Sequence, residues 1–103
     1  MSDRWIDLGA ADELKKRPVQ EININGATLA LSYLNGEFCA IDGLCIHAEG
    51  PLGEGTLEDE AIVCPLHEWK FHRKTGKGYG GTPGQVPCFN VEVRDGRVFV
   101  ERP

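Results

Sequence analysis

The chain has 103 residues, of which 41% are hydrophobic, and a formal net charge of -5 from 11 basic and 16 acidic residues. This length suits a single globular domain and leaves no room for a second. The acidic balance argues against a general nucleic-acid binder, and no apolar run approaches the roughly 18 residues of a membrane-spanning helix.

The first ten residues, "MSDRWIDLGA", lack the basic and then apolar pattern of a secretory signal. We therefore expect a cytoplasmic protein. In that compartment the four cysteines of the chain are more often reduced thiols or metal ligands than disulfides.

Most of the chain shows the alternation or the short apolar runs that are typical of β-strands. Strands are predicted at Trp5–Leu8, Val19–Ile24, Ala27–Leu34, Glu37–Ile41, Ala61–Cys64, Trp69–His72, Phe89–Val93 and Arg97–Glu101. Hairpin turns, which need positive backbone angles, are predicted at Asn25-Gly26, Asn35-Gly36 and Asp95-Gly96. Only Ala10–Lys16 predicts helix, as one or two turns that end before Pro18. The pattern predicts an all-β fold, an antiparallel sandwich or barrel.

The middle of the chain has a different composition. The segment from Gly43 to Gly84 carries nine of the 13 glycines, three of the six prolines and all three histidines. Hydrophobic burial alone would order such a segment poorly, so we expect a metal centre to organise it.

Two short motifs in this segment pair a cysteine with a histidine. "CIH" runs from Cys45 to His47, "CPLH" runs from Cys64 to His67, and sixteen residues separate them. Thiolate and imidazole bind both zinc and the iron of iron–sulfur clusters. Structural zinc sites usually pair cysteine with cysteine and histidine with histidine. Two loops that each supply one thiolate and one imidazole instead match the [2Fe–2S] arrangement of Rieske centres.

The chain resembles the Rieske ferredoxin family over nearly its whole length. The resemblance is carried by "CIHAEGPLGEGTLED", by "AIVCPLHEWKFHRKTG" and by the flanking strands from "WIDL" to "GRVFV". It implies one [2Fe–2S] cluster, with Cys45 and Cys64 on the inner iron and His47 and His67 on an outer iron near the surface. It also implies one domain over residues 1–103, an antiparallel β-sandwich with an inserted cluster-binding subdomain at about residues 43–81. Glu68 departs from the family, which usually has glycine after the second histidine.

The residues around these motifs suggest a low reduction potential. At the positions where respiratory members of the family carry a disulfide, this chain has Gly50 and Leu66. Where high-potential members aim serine and tyrosine hydroxyls at the cluster sulfurs, it has Trp69 and Phe71. Hydrogen bonds to sulfur stabilise the reduced cluster, so their loss lowers the potential. The resemblance therefore predicts the low, oxygenase-associated type.

The histidine count argues against a Rieske oxygenase. Such enzymes add a mononuclear iron held by two histidines and a carboxylate, and only His72 would remain for it. We therefore expect an electron-transfer protein that is not itself an enzyme. The first hypothesis is a soluble ferredoxin that takes electrons from an NAD(P)H-dependent flavin reductase and passes them to a terminal oxygenase. The alternatives are the small subunit of an assimilatory nitrite reductase, bound to its large subunit, and a structural zinc module.

The remaining candidates have less specific interpretations. Cys39 and Cys88 lie in strand-like segments and are expected to be buried, unreactive thiols, while His72 is expected at the surface. Four cations follow the second motif, and an acidic run precedes it. We expect both runs to be solvated faces, and the sharper hypothesis is that they steer redox partners. The cations are Lys70, Arg73, Lys74 and Lys77, and the acidic run is Glu54, Glu58, Asp59 and Glu60.

Overall fold

The computed structural model describes residues 4–24, 26–43, 51–65 and 69–101. Within these ranges the chain forms eleven strands, one short α-helix, α1 (Ala11–Leu14), and one 3-10 turn (Leu52–Glu54). The strands are β1 (Trp5–Ala10), β2 (Val19–Ile24), β3 (Ala27–Leu34), β4 (Glu37–Asp42), β5 (Thr56–Glu58), β6 (Ala61–Val63), β7 (Lys70–His72), β8 (Gly78–Tyr79), β9 (Cys88–Phe89), β10 (Val91–Arg94) and β11 (Arg97–Glu101). The all-β prediction is confirmed.

The strands form three antiparallel sheets. The outer sheet has the order β1-β11-β10, the middle sheet β2-β3-β4-β9, and the third sheet β5-β6-β7-β8. All four strands of the third sheet lie in the chain between β4 and β9, which pair with each other through Ala40 opposite Phe89 and Ile41 opposite Cys88. The third sheet is therefore inserted between two strands that are neighbours in the middle sheet.

The middle sheet buries both of its faces. Along β3 the alternating residues Leu29 and Leu31 join a core with Val98 and Val100 of the outer sheet. Ala30, from the opposite face of β3, joins a second core shared with the third sheet. That core consists of Val19, Ala30, Ile41, Leu52, Ile62, Cys64, Phe71 and Val86. Burial on both faces explains why β3 contains a continuous apolar run instead of a strict alternation.

The predicted hairpin turns have the expected backbone. Asn35 and Gly36 have φ of 51° and 82°, and Asp95 and Gly96 have 50° and 76°. Positive angles at both central residues suit the right-handed twist of the flanking strands. Gly26 also has a positive φ, of 83°, whereas Asn25 lies outside the described residues.

The predicted strand Phe89–Val93 is wrong as a single element. The ladder is interrupted at Asn90, so β9 belongs to the middle sheet and β10 to the outer sheet. Asn90 and Glu101 are joined twice: the Asn90 amide donates to the Glu101 carboxylate over 2.7 Å, and the Glu101 N–H donates to the Asn90 carbonyl over 2.8 Å. These bonds fix the point where the chain changes sheets. The helix is also shorter than predicted, and β5, β8 and the 3-10 turn were not predicted.

Within the described ranges, no helix has both the length and the apolar character needed to cross a bilayer.

Candidate metal centre

Cys64 lies directly after β6 and is a free thiol with no exposed surface. Its N–H donates to the Trp69 carbonyl over 2.7 Å. This bond joins the two ends of the short stretch between β6 and β7, which contains His67. His67 itself, with Leu66 and Glu68, lies outside the described residues. Cys64 therefore lies at the start of the connection between β6 and β7, where this hydrogen bond links it to the end of that connection.

The segment that carries Cys45 and His47 lies outside the described residues, from Leu44 to Gly50, but its two ends are described. The Gly43 N–H donates to the Thr28 carbonyl of β3 over 2.8 Å, and the Leu52 N–H donates to the Gly43 carbonyl, also over 2.8 Å. The ends of this segment are thus tied to each other and to the middle sheet.

The residues that border the two candidate ligand segments share one hydrophobic core. Leu52, at the end of the first, is buried in the core that contains Cys64, and Trp69, at the end of the second, packs against it. A side chain at Gly55 would overlap the Val63 carbonyl, so only glycine allows the 3-10 turn to lie this close to β6. The fold brings the borders of the two cysteine–histidine motifs together, as one shared centre requires.

The surroundings of Cys64 fit an iron–sulfur ligand. A soft thiolate is the preferred ligand of cluster iron, and a fully buried position keeps water from its sulfur. The described residues contain no group of three or more histidine, cysteine or carboxylate side chains that could hold a metal ion. Three of the four predicted ligands, Cys45, His47 and His67, lie outside those residues.

Comparison with known proteins decides the family. The model of the Rieske [2Fe–2S] domain matches residues 4–92 of this chain. The chain belongs to the Rieske [2Fe–2S] domain family. Membership implies an iron–sulfur cluster, and it favours the interpretation of the two motifs as one iron–sulfur site over structural zinc.

Relatives of this Rieske domain include ferredoxins. It is 38% identical, over 98% of each chain, to the ferredoxin component of the naphthalene 1,2-dioxygenase/salicylate 5-hydroxylase systems of a Ralstonia species. Its structure superposes on the ferredoxin of carbazole 1,9a-dioxygenase from Nocardioides aromaticivorans with a TM-score of 0.90, at 25% identity and over 98% and 100% of the two chains. It also superposes, with a TM-score of 0.87 at 30% identity over 97% and 94%, on a chain of the complex of reduced oxygenase and oxidized ferredoxin in carbazole 1,9a-dioxygenase. The prediction of a Rieske ferredoxin, an electron carrier and not an enzyme, is confirmed.

The glycine-rich segment after β8 packs back onto the strand that follows the second motif. The Thr82 hydroxyl accepts the Lys70 N–H over 2.9 Å, and the Gly78 N–H donates to the Gly84 carbonyl over 2.8 Å. A side chain at Gly78 would overlap the Thr82 carbonyl. These contacts place the Pro83 region of the Rieske domain beside β7, next to the end of the second ligand segment.

Trp69 and Phe71, at the positions where high-potential members of the family carry hydroxyl donors, are packed in apolar surroundings. Phe71 has no exposed surface and lies in the same core as Cys64. Trp69 is half-buried against that core. Neither side chain carries a hydroxyl that could bond to a cluster sulfur, which supports the prediction of a low potential.

The basic run that follows the second motif is largely neutralised within the chain. Lys70 pairs with Glu58 over 2.8 Å, and Lys74 pairs with Glu37 over 3.0 Å. The bond to Lys74 lowers the pKa of the Glu37 carboxyl below its ordinary value and raises that of the Lys74 ammonium. The expectation of a solvated basic face is wrong for Arg73, which is only 1% exposed.

A sequence signal for the burial of Arg73 exists in retrospect. Ser32 directly follows the apolar run Leu29–Leu31 of β3, and it has no exposed surface. A buried hydroxyl needs a hydrogen-bonding partner. The hydroxyl donates to the Cys39 carbonyl over 3.5 Å, and Arg73 supplies a second partner, because its Nε donates to Ser32 Oγ over 3.0 Å.

The expectation of buried thiols is wrong for Cys88 and holds only in part for Cys39. Cys88 is exposed and lies on β9, which forms one edge of the middle sheet among the described strands. Cys39 is half-buried, and burial raises the pKa of its thiol. His72 is also half-buried, and its Nδ1 accepts the Lys74 N–H over 3.2 Å, so it stabilises the turn after β7.

Proposed function

We propose that this chain is the ferredoxin component of a multicomponent oxygenase system. It would take single electrons from an NAD(P)H-dependent flavin reductase in the cytoplasm and deliver them to a terminal oxygenase. The observation that carries the proposal is similarity along the whole chain to a protein named as a ferredoxin component of dioxygenase systems, which covers 98% of both chains. A solved complex of an oxygenase with its ferredoxin contains a chain of the same fold.

The cluster site is the second part of the proposal. One [2Fe–2S] cluster would be held by Cys45 and Cys64 on one iron and by His47 and His67 on the other. The support comes from the burial of Cys64 and from the shared core at the borders of both ligand segments. When bound, the cluster supplies a centre that accepts and releases one electron at a time. The chain contributes the ligands, the exclusion of water and a fixed geometry.

The division of the chain follows from this site. We propose a single domain over residues 1–103, in which about residues 43–81 form the cluster-binding subdomain. The support is that the third sheet, from Thr56 to Tyr79, is inserted between the paired strands β4 and β9. The outer and middle sheets then act as a base that holds the inserted part.

Spectroscopy and a coupled electron-transfer assay test the proposal together. The purified, air-oxidised protein is expected to be coloured and to contain about two irons and two sulfides per chain, and dithionite should give it a Rieske-type electron paramagnetic resonance signal. A flavin reductase with NADH should then reduce the protein, and mixing it with an oxidised Rieske oxygenase should reoxidise it.

Three results would contradict the proposal. A colourless protein that contains zinc would rule out the cluster. A reduced protein that transfers no electron to any oxygenase tested would rule out the carrier role in such systems. Stable association with the large subunit of a nitrite reductase would favour the alternative partner.

A further inference from the structure

Arg73 is a buried charged side chain at the junction of two sheets. It follows β7, the strand that comes after the second ligand motif, and only 1% of its surface is exposed. Its Nε donates to Ser32 Oγ over 3.0 Å. One terminal nitrogen donates to the Glu37 carbonyl over 2.7 Å, and the other lies 3.4 Å from the Glu37 carboxylate.

These contacts connect parts of the chain that are far apart in sequence. Ser32 belongs to β3 and Glu37 begins β4, so both belong to the middle sheet. The Arg73 N–H donates over 2.8 Å to the carbonyl of Glu60, in the turn between β5 and β6. Arg73 thus joins the third sheet to the middle sheet. Cys64 directly follows β6, a strand of the third sheet.

Two carboxylates lie near the buried positive charge of Arg73. The Glu60 carboxylate approaches the guanidinium to 3.6 Å, and its Oε1 is a buried atom with no hydrogen-bonding partner among the described residues. Lys74 also binds Glu37, over 3.0 Å, which holds that carboxylate in place. A planar guanidinium can donate several bonds in fixed directions, whereas a lysine ammonium cannot reproduce that pattern.

We propose that Arg73 is a positioning residue for the cluster. Its guanidinium holds the third sheet at a fixed orientation on the middle sheet, so that the two ligand segments keep their geometry when the cluster is reduced and reoxidised. The inference rests on the proposed function for its link to electron transfer, although the contacts that carry it contain no cluster ligand.

Three variants of the purified holoprotein test this inference. Arg73→Gln removes the charge and most of the donors, while Arg73→Lys keeps the charge. Arg97→Gln is the matched control, because Arg97 is half exposed and pairs with Asp7 over 2.8 Å in the outer sheet, which does not contain β6 or β7. Each variant is followed by hydrogen–deuterium exchange and by the rate of iron release to a chelator during repeated reduction and oxidation.

The effect is expected to be local. In Arg73→Gln, peptides that cover β6 and β7 should exchange about tenfold faster or more, with β11 unchanged, because the buried Ser32 hydroxyl and the buried Glu60 Oε1 lose the guanidinium beside them. Iron release should rise by about the same factor, and Arg73→Lys should fall between this variant and the wild type. Arg97→Gln should release iron at the wild-type rate.

Two outcomes would overturn the inference. Uniformly faster exchange in all three sheets would mean that Arg73 supports only the global fold, and iron release equal to that of Arg97→Gln would mean that it does not position the cluster. If Arg73→Gln does not fold, Ser32→Ala serves as the second variant, because it removes one acceptor of the Arg73 guanidinium. It should give the same local exchange pattern in weaker form. Unchanged exchange in β6 and β7 of Ser32→Ala would count against the inference. A wild-type protein without iron would contradict the proposed function, and exchange would still decide whether Arg73 orders the third sheet.

Discussion

At the scale of single residues, Cys64 differs from the other two described cysteines. It has no exposed surface, whereas Cys39 is half-buried and Cys88 is exposed. Cys64→Ser should abolish cluster assembly, because an alcohol is a poor substitute for the soft thiolate that cluster iron prefers. Cys88→Ser should keep full iron content and an unchanged visible spectrum. Iron analysis and absorption spectroscopy check both, and a Cys64→Ser protein with full iron content would remove Cys64 from the ligand set.

The residues around the second motif also predict the reduction potential. Because Trp69 and Phe71 carry no hydroxyl, the hydroxyl hydrogen bonds that stabilise the reduced cluster of high-potential members are absent at these positions. We expect a midpoint potential near the low end of the Rieske range, about -150 mV. A redox titration followed by visible circular dichroism measures it. A midpoint above zero would show that other donors reach the sulfurs.

At the scale of elements, the sequence predicted β2, β3 and β11 with the observed bounds. Alternation marks β2 and β11, a short apolar run marks β3, and glycine-containing turns border them, so local information is sufficient. The two-residue strand β8 lies in a glycine-rich segment without alternation, and no local pattern marks it. The change of sheet at Asn90 depends on its bonds to Glu101, which is distant in sequence.

The candidate site follows the same division between local and distant information. The spacing of the cysteines and histidines is a local pattern, and it predicts four ligands, of which only Cys64 lies within the described residues. The burial of Arg73 depends on Ser32, which is 41 positions away in the chain. A run of cations gives no sign that one of them will be enclosed between two sheets, so the sequence predicted a solvated face.

The 3-10 turn that borders the first ligand segment lies directly on β2. A Cβ atom at Gly53 would lie 2.5 Å from the Glu21 Cα, closer than real contacts allow. Gly53→Ala should therefore push the turn away from β2 and lower the free energy of unfolding by about 1–3 kcal/mol. It should also speed cluster loss, because Leu52 moves with the turn.

Gly36→Ala is the control for Gly53→Ala. Gly36 has a φ of 82° and open space around it, so only backbone strain is expected, of about 1 kcal/mol. Urea titration and the decay of the visible spectrum compare the two variants. Cluster loss at the same rate in both would mean that the contact with β2 does not support the first ligand segment.

At the scale of the whole molecule, the sheets are joined by ion pairs as well as by two hydrophobic cores. Glu37 begins β4 and pairs with Lys74 and Arg73, both from the segment after β7. The pKa of the Glu37 carboxyl is lowered, first by its hydrogen bond to Lys74 and further by its hydrogen bond to Arg73. Ionised Glu37 therefore favours the folded state, and its contribution must depend on pH.

The sign of this dependence follows from the direction of the shift. The contribution of Glu37 is fully present above the pKa of an unfolded glutamate, about 4.3. It decreases as the pH falls below that value and disappears below the lower pKa of the folded state. Glu37→Gln should therefore have a lower melting temperature than the wild type at pH 7, and the difference should shrink as the pH falls from about 5 to 3. Thermal unfolding of both proteins across this range is the measurement. A constant difference would mean that the amide disturbs packing and that the charge of Glu37 does not join the sheets.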